Sequence, residues 1–122
     1  MTENIYASMR YHDGRAALDW LERAFGLERS VAYDGPDGNI GHAELRWGEG
    51  TIMIGTWRGE DDLRRPGQGW AYVAVEDIEG HLRRAREAGA EIVAGLDTQD
   101  YGRFYSARDL DGNLWSFGTY AP

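Results

Sequence analysis

The stretch Ser106-Ala107-Arg108-Asp109-Leu110-Asp111-Gly112-Asn113-Leu114-Trp115-Ser116-Phe117 constrains the fold more than any other part of the chain. It reads as strand, tight turn, strand, because Asp-Gly between two apolar runs supplies the positive φ that a hairpin turn needs. A simpler copy lies upstream at Tyr33-Asp34-Gly35-Pro36-Asp37-Gly38-Asn39-Ile40. Each copy follows a helix-like segment and precedes the end of a half-chain. One unit written twice is therefore expected.

The first half can be read in order. Ile5, Ala7, Met9 and Tyr11 alternate with Tyr6, Ser8 and Arg10, which is strand periodicity. Asp13 is placed to cap a helix whose stripe is Ala17, Leu18, Leu21, Ala24 and Phe25, with Gly26 just past its end. Strands are expected over Arg29 to Asp34, Ile40 to Trp47 and Thr51 to Trp57, with Gly48-Glu49-Gly50 as the last turn. Arg58 to Gly69 is polar and without period, and reads as a linker.

The second half repeats this order. Trp70 to Val75 is a strand, and Asp77 caps a helix striped by Ile78, Leu82, Ala85 and Ala88 and ended by Gly89. Strands follow over Glu91 to Leu96, Arg103 to Arg108 and Leu114 to Tyr120, with a polar loop at Asp97 to Gly102. The expected fold class is α+β: two βαβββ modules forming a cupped mixed sheet, helices outside. At 122 residues this is one domain's worth, with module 1 at about 1–57, a linker at about 58–69 and module 2 at about 70–122.

A hydrophobic content of 42% fits a packed protein. The absence of cysteine excludes disulfides and sulfur-based zinc sites. The formal charge of -8 opposes nucleic-acid binding and is compatible with a cationic ligand, but solubility explains it better. Met1-Thr2-Glu3-Asn4 lacks the basic-then-apolar pattern of a secretory leader, and no apolar run is long enough to span a membrane. A cytoplasmic, soluble protein is expected.

On each sheet one face should meet the helix: Ile5, Ala7, Met9, Ile52 and Ile54, then Ala71, Val73, Val75, Trp115 and Phe117. The opposite faces carry Tyr6, Ser8, Arg10, Met53, Gly55 and Trp57, then Trp70, Tyr72, Phe104, Ser106, Leu114, Ser116 and Gly118. Aromatics beside small polar groups suit the wall of a ligand cup. The side taken by Trp47 depends on how many residues the Gly48 to Gly50 turn contains.

The segments Leu21-Glu22-Arg23-Ala24-Phe25-Gly26-Leu27-Glu28, Val73-Ala74-Val75-Glu76-Asp77, Arg86-Glu87-Ala88-Gly89-Ala90-Glu91 and Arg108-Asp109-Leu110-Asp111-Gly112-Asn113-Leu114-Trp115, in this order, resemble the vicinal oxygen chelate superfamily. That is the fold of glyoxalase I, extradiol dioxygenases, and fosfomycin and bleomycin resistance proteins. The resemblance spans essentially the whole chain and speaks to fold more than to activity. It implies a divalent-metal site with up to four His, Glu or Gln ligands from both modules, at positions matching Tyr6, Gly55, Trp70 and Ser116. None of these is a strong ligand for a divalent ion. No metal and no cofactor is expected.

Tyr6, Arg10, Trp57, Trp70, Tyr72, Phe104, Ser106, Arg108 and Ser116 are the candidate ligand-binding residues. The aromatics suit a planar or cationic molecule, or the core of a cup that closes on itself. Arg10 and Arg108 suit a carboxylate or phosphate, or an ion pair with one of the chain's acids. Asp109 and Asp111 should serve the turn, and Arg23, Arg83, Arg84 and Arg86 should be solvated. His12 and His81 are expected in solvent, and His42, Glu44 and Arg46 on an exposed strand face. Ser106 has no base in reach and is not expected to act as a nucleophile. No catalytic residue is assigned.

The leading expectation is a metal-free, bleomycin-resistance-like small-molecule binder acting as a homodimer. The alternative is a metal-dependent lyase or isomerase of the glyoxalase type using His42 and Glu44. A third is an interaction module with a self-filled cup.

Overall fold

The computed structural model describes residues 4–122. Met1 to Glu3, which carry most of the leader reading, lie outside the described residues. The element order is β1 (Ala7–Tyr11), α1 (Gly14–Phe25), β2 (Glu28–Asp34), β3 (Ile40–Trp47) and β4 (Gly50–Thr56). It continues with β5 (Trp70–Ala74), α2 (Ile78–Glu87), β6 (Glu91–Gln99), β7 (Gly102–Arg108) and β8 (Leu114–Gly118). The strands form two four-stranded sheets, β1-β4-β3-β2 and β5-β8-β7-β6, of the same topology. In each, the first strand pairs in parallel with the last, and the remaining pairs are antiparallel. The chain has an α+β fold of two βαβββ modules.

The local chemistry sets the helices. The Asp13 side chain accepts from Ala16 N and starts α1, and Gly26 ends it at φ 76, a left-handed value that glycine adopts at little cost. All five residues of the α1 stripe are buried. The Asp77 side chain accepts from Gly80 N at the start of α2.

The helical sides of the modules meet each other. Phe25, at the end of α1, packs on Trp115 and Phe117 of β8 at ring distances of 5.3 and 4.8 Å. Trp47 takes the helical side, half-buried, and donates from Nε1 to Ala74 O at 2.8 Å. Arg84 was expected to be merely solvated. It is exposed, but its guanidinium reaches across to Glu22 O and Arg23 O at 2.8 and 2.9 Å, in the last turn of α1.

A buried carboxylate links three segments. Asp109 Oδ2 accepts from Tyr11 Oη of β1 at 2.6 Å, Trp115 Nε1 at 3.0 Å and Asn113 Nδ2 at 3.1 Å. Its Oδ1 accepts from Asp111 N and Asn113 N at 3.0 and 2.9 Å, the turn-forming role expected of it. Asn113 Oδ1 in turn accepts from Gly67 N and Gly69 N in the linker. Asp111 does more than shape the turn, since its carboxylate accepts from His12 N at 2.8 Å.

Several expectations are corrected. Ile5 does not face the helix: it is 91% exposed, because β1 pairs with β4 only from Ala7 onward, and Ala7, the first paired residue, is exposed too. The polar segment after Leu96 is not a loop, because β6 runs to Gln99 and the turn is confined to Asp100 and Tyr101. Its cross-strand partners on β7 hold it in the ladder without an apolar pattern. His81 is not solvated but buried between the modules. Its Nε2 must donate to Phe25 O at 2.8 Å, since a carbonyl only accepts, which leaves Nδ1 to accept from Tyr105 Oη at 2.6 Å. Burial holds its pKa below the ordinary histidine value, with Arg84 adding to the effect and the Phe25 bond opposing it.

Candidate functional site

With the helical sides turned inward, each sheet presents its other face outward. On module 2, register builds that face in rows. Trp70, Leu114 and Arg108 lie opposite one another, then Tyr72, Ser116 and Ser106, then Ala74, Gly118 and Phe104. Directly opposed residues share a face, so six of the nine candidates come together here. Trp70 is 71% exposed, and its Nε1 donates to Ser116 Oγ at 3.0 Å. Ser116 and Ser106 share a hydrogen bond of 3.0 Å between their hydroxyls. Neither serine has a histidine or carboxylate partner among the described residues, so no nucleophile is assembled.

Next to the serines the wall is aromatic. Tyr72 lies 6.4 Å from Phe104, Phe104 lies 5.4 Å from Tyr101, and Tyr101 meets Tyr120 edge-on. Tyr72 Oη donates to the backbone carbonyl of Tyr120. Gly118 makes this arrangement possible, because a Cβ there would overlap Phe104 Cδ1 and lie 2.5 Å from Tyr72 Oη. Tyr101 and Tyr120 were not among the candidates. Tyr101 sits in the β6–β7 turn, where no strand alternation marks it; Tyr120 continues the alternation of Leu114, Ser116 and Gly118 in the expected strand, which ends instead at Gly118. Arg108 lies at the rim, where its Nη1 donates to Gly112 O at 2.9 Å.

The outward face of module 1 is polar. Ser8, Met53, Glu44 and Val31 form one row across β1, β4, β3 and β2, and Arg10 opposes Gly55 in the next. His42 and Glu44 lie on this face, half-buried, with His42 Nε2 to Glu44 Oε2 at 2.8 Å and Tyr33 stacked on His42 at 6.5 Å. Tyr6 lies just before β1 and is exposed.

Arg10 crosses its own sheet. A Cβ on Gly55 would overlap Arg10 Nη1, so the guanidinium lies over that glycine. Arg10 Nε is 3.8 Å from Asp62 Oδ2 in the linker. The buried Asp62 carboxylate also takes Arg64 N and Arg64 Nε at 3.1 and 2.8 Å, and Arg58 N at 3.2 Å. Desolvation would raise its pKa, but these hydrogen bonds outweigh it and bring the group to about 2. Trp57 is drawn into the same corner, donating from Nε1 to Asp62 O at 3.0 Å with the Arg65 guanidinium 5.7 Å from its ring. No hydrogen bond, ion pair or ring contact joins Arg10 or Trp57 to the six candidates on β5, β7 and β8.

The four positions matching the superfamily's metal ligands do not fit a divalent cation. A guanidinium covers Gly55, and the indole N–H of Trp70 occupies Ser116 Oγ. No group of three or more His, Cys, Asp or Glu able to hold a metal occurs among the described residues. His42 and Glu44 supply only two donors, already bonded to each other. Separately, a cleft of about 1010 Å³ opens between the modules beside Trp47, Ala74, Asp77 and His81.

Residues 5–117 match the model of the Glyoxalase/Bleomycin resistance protein/Dioxygenase superfamily, and the chain belongs to that superfamily. An uncharacterized protein of Mycobacterium bovis is 29% identical, spanning 97% of this chain and 86% of that protein. The crystal structure of TioX from Micromonospora sp. ML1 superposes with a TM-score of 0.81 at 31% identity, covering 98% of this chain and 99% of that one. TnmS3, an antibiotic binding protein from Streptomyces sp. CB03234, gives a TM-score of 0.77 at 17% identity and 99% coverage of both chains, a likeness of fold. Among the described residues no helix is long and apolar enough to cross a membrane.

Proposed function

We propose that the protein is a metal-independent binder of a small, partly aromatic molecule, working as a cytoplasmic homodimer. The observation that carries this reading is the outward face of module 2, where Trp70, Tyr72, Tyr101 and Tyr120 stand exposed beside Phe104 and the Ser106–Ser116 pair. An aromatic patch of this kind is costly in water unless something covers it. A planar group stacks on it, a cationic group gains cation–π contact with Trp70 or Tyr72, and the serines fix the orientation. The antibiotic-binding description of TnmS3 supports the same reading. A second copy related by a two-fold axis would set the polar face of one module 1 against the aromatic face of its partner's module 2. Two equal cups would close at once.

Thermal-shift screening of planar aromatic compounds, followed by titration of tryptophan fluorescence, tests the binding. The expected result is a hit whose quenching weakens at least tenfold in Trp70→Ala; a screen with no shift, or quenching untouched in that variant, refutes it. Light scattering should give twice the chain mass. A second reading, a metal-dependent lyase or isomerase, draws on the His42–Glu44 contact of 2.8 Å. One divalent metal per chain in untagged protein, lost in His42→Ala, would put this reading ahead of the first.

A further inference from the structure

We propose that Arg10 is an anion receptor on the module 1 face, built to take an oxyanion carried by the ligand. The proposal rests on the cup reading above and adds the chemistry of the ligand's polar end. Arg10 has five N–H donors, and none makes a hydrogen bond to a described residue. Its Nε is fully buried and without an acceptor. Only 13% of the side chain reaches solvent, so water satisfies little of the remainder. A guanidinium withdrawn from water normally carries a carboxylate or carbonyl on its fork, because unmet charged donors are costly.

The neighbouring acid does not fill that role. Asp62 lies 3.8 Å from Nε, beyond hydrogen-bond range, and its oxygens are already engaged by Arg64 and Arg58. Arg58 and Arg64 also add positive charge around Arg10. Burial first, then Arg64, lowers the pKa of Arg10, with Asp62 opposing them in part. The residue beneath the guanidinium is Gly55, whose lack of a side chain lets Nη1 lie close against the sheet. Arg108, the other sequence candidate, is exposed at the rim and has a backbone carbonyl as partner.

Arg10 therefore offers unspent donors on the module 1 face, with a small part of its side chain open to solvent. A carboxylate, sulfonate or phosphate oxygen on the ligand satisfies them. The ligand is expected to join an aromatic body, held by module 2, to an acidic group.

Calorimetry with 2-naphthoate and its neutral counterpart 2-naphthalenemethanol tests this on the full chain. The wild type should bind the acid at least tenfold more tightly than the alcohol, and Arg10→Gln should abolish that preference. Trp70→Ala should weaken both probes alike. Equal affinity for the two probes, no binding of naphthoate, or a preference that survives in Arg10→Gln overturns the proposal; the aromatic face is then judged by Trp70→Ala and the alcohol alone. Naphthoate binding lost in Arg10→Gln but intact in Trp70→Ala keeps the receptor and overturns the aromatic reading. Arg10→Met provides the folding control. With no hydrogen bond to lose, it should unfold at or above the wild-type Tm, and a fall of several degrees would make Arg10 a structural group instead.

Discussion

Replacing Asp109 by Ala should destabilise the protein more than any single change on the outward faces. The carboxylate accepts five hydrogen bonds, from Tyr11, Trp115, Asp111 and twice from Asn113. Tyr11, Trp115 and Asn113 are each at most 1% exposed, so the donors they aim at Asp109 have no water to turn to. Burial, then the Asp109 charge, pushes the Tyr11 phenol well above its ordinary pKa, so it remains a protonated donor. A buried donor stranded without an acceptor costs about 1–3 kcal/mol. Three such residues, with some relief from relaxation, give a loss of about 4 kcal/mol against a total of about 5–15 kcal/mol. In urea the midpoint should fall by roughly 2 M at unchanged slope. Asp109→Asn should recover little, because either orientation of the amide points N–H groups at N–H donors. Tyr11→Phe should cost about 1–2 kcal/mol by itself, and the double variant should show coupling with Asp109→Ala. If Asp109→Ala cost less than about 1 kcal/mol with the same slope, the three-way junction would not be what ties β1, the linker and the β7–β8 hairpin together.

Other expectations follow from the same geometry. His81 is held neutral by burial, so its pKa is lower folded than unfolded. The unfolded chain therefore takes up a proton first as pH falls below about 6.5, and stability should drop from there towards the folded pKa. Urea midpoints across pH 7.5 to 5 should show this decline, with a shallower slope in His81→Gln. Gly118→Ala should cost about 1–3 kcal/mol, since the new methyl collides with Phe104 and Tyr72, and should weaken aromatic ligands in the fluorescence titration. Gly55→Ala should be destabilising by a similar amount, and Arg10→Ala should rescue it only in part, because the Cβ also comes within 2.7 Å of Gly41 O. Ile5→Ser should leave the midpoint within about 0.5 kcal/mol of wild type, whereas Ile54→Ala, at a site 2% exposed, should cost about 2–5 kcal/mol.

The periodic part of the architecture was legible from residue order alone. Asp13 and Asp77 announced their helices, and Ala17, Leu18, Leu21, Ala24 and Phe25 marked the buried stripe. Alternation along β4 and β8 separated Ile52, Ile54, Trp115 and Phe117 from the outward face. These signals are local, since capping needs three residues and a strand face needs every second one. Where a residue's partner is distant, the sequence is silent. Nothing near His81 marks it as buried, because its partners Phe25 and Tyr105 lie 56 and 24 residues away. The 61-residue and 62-residue reaches of Arg84 to α1 are equally invisible in the linear order.

The candidate site divides the same way. Composition and alternation named the aromatic and polar residues of both outward faces, and the register of β5, β7 and β8 then gathered six of them into rows. Tertiary structure alone decided that Trp57 turns to the linker, that Asp62 is buried there, and that Arg10 lies over Gly55 without an acceptor. Identity along the chain sets what each side chain is able to do chemically. Which donors remain unspent depends on what long-range packing brings within about 3 Å of them, and that distance is a property of the folded molecule.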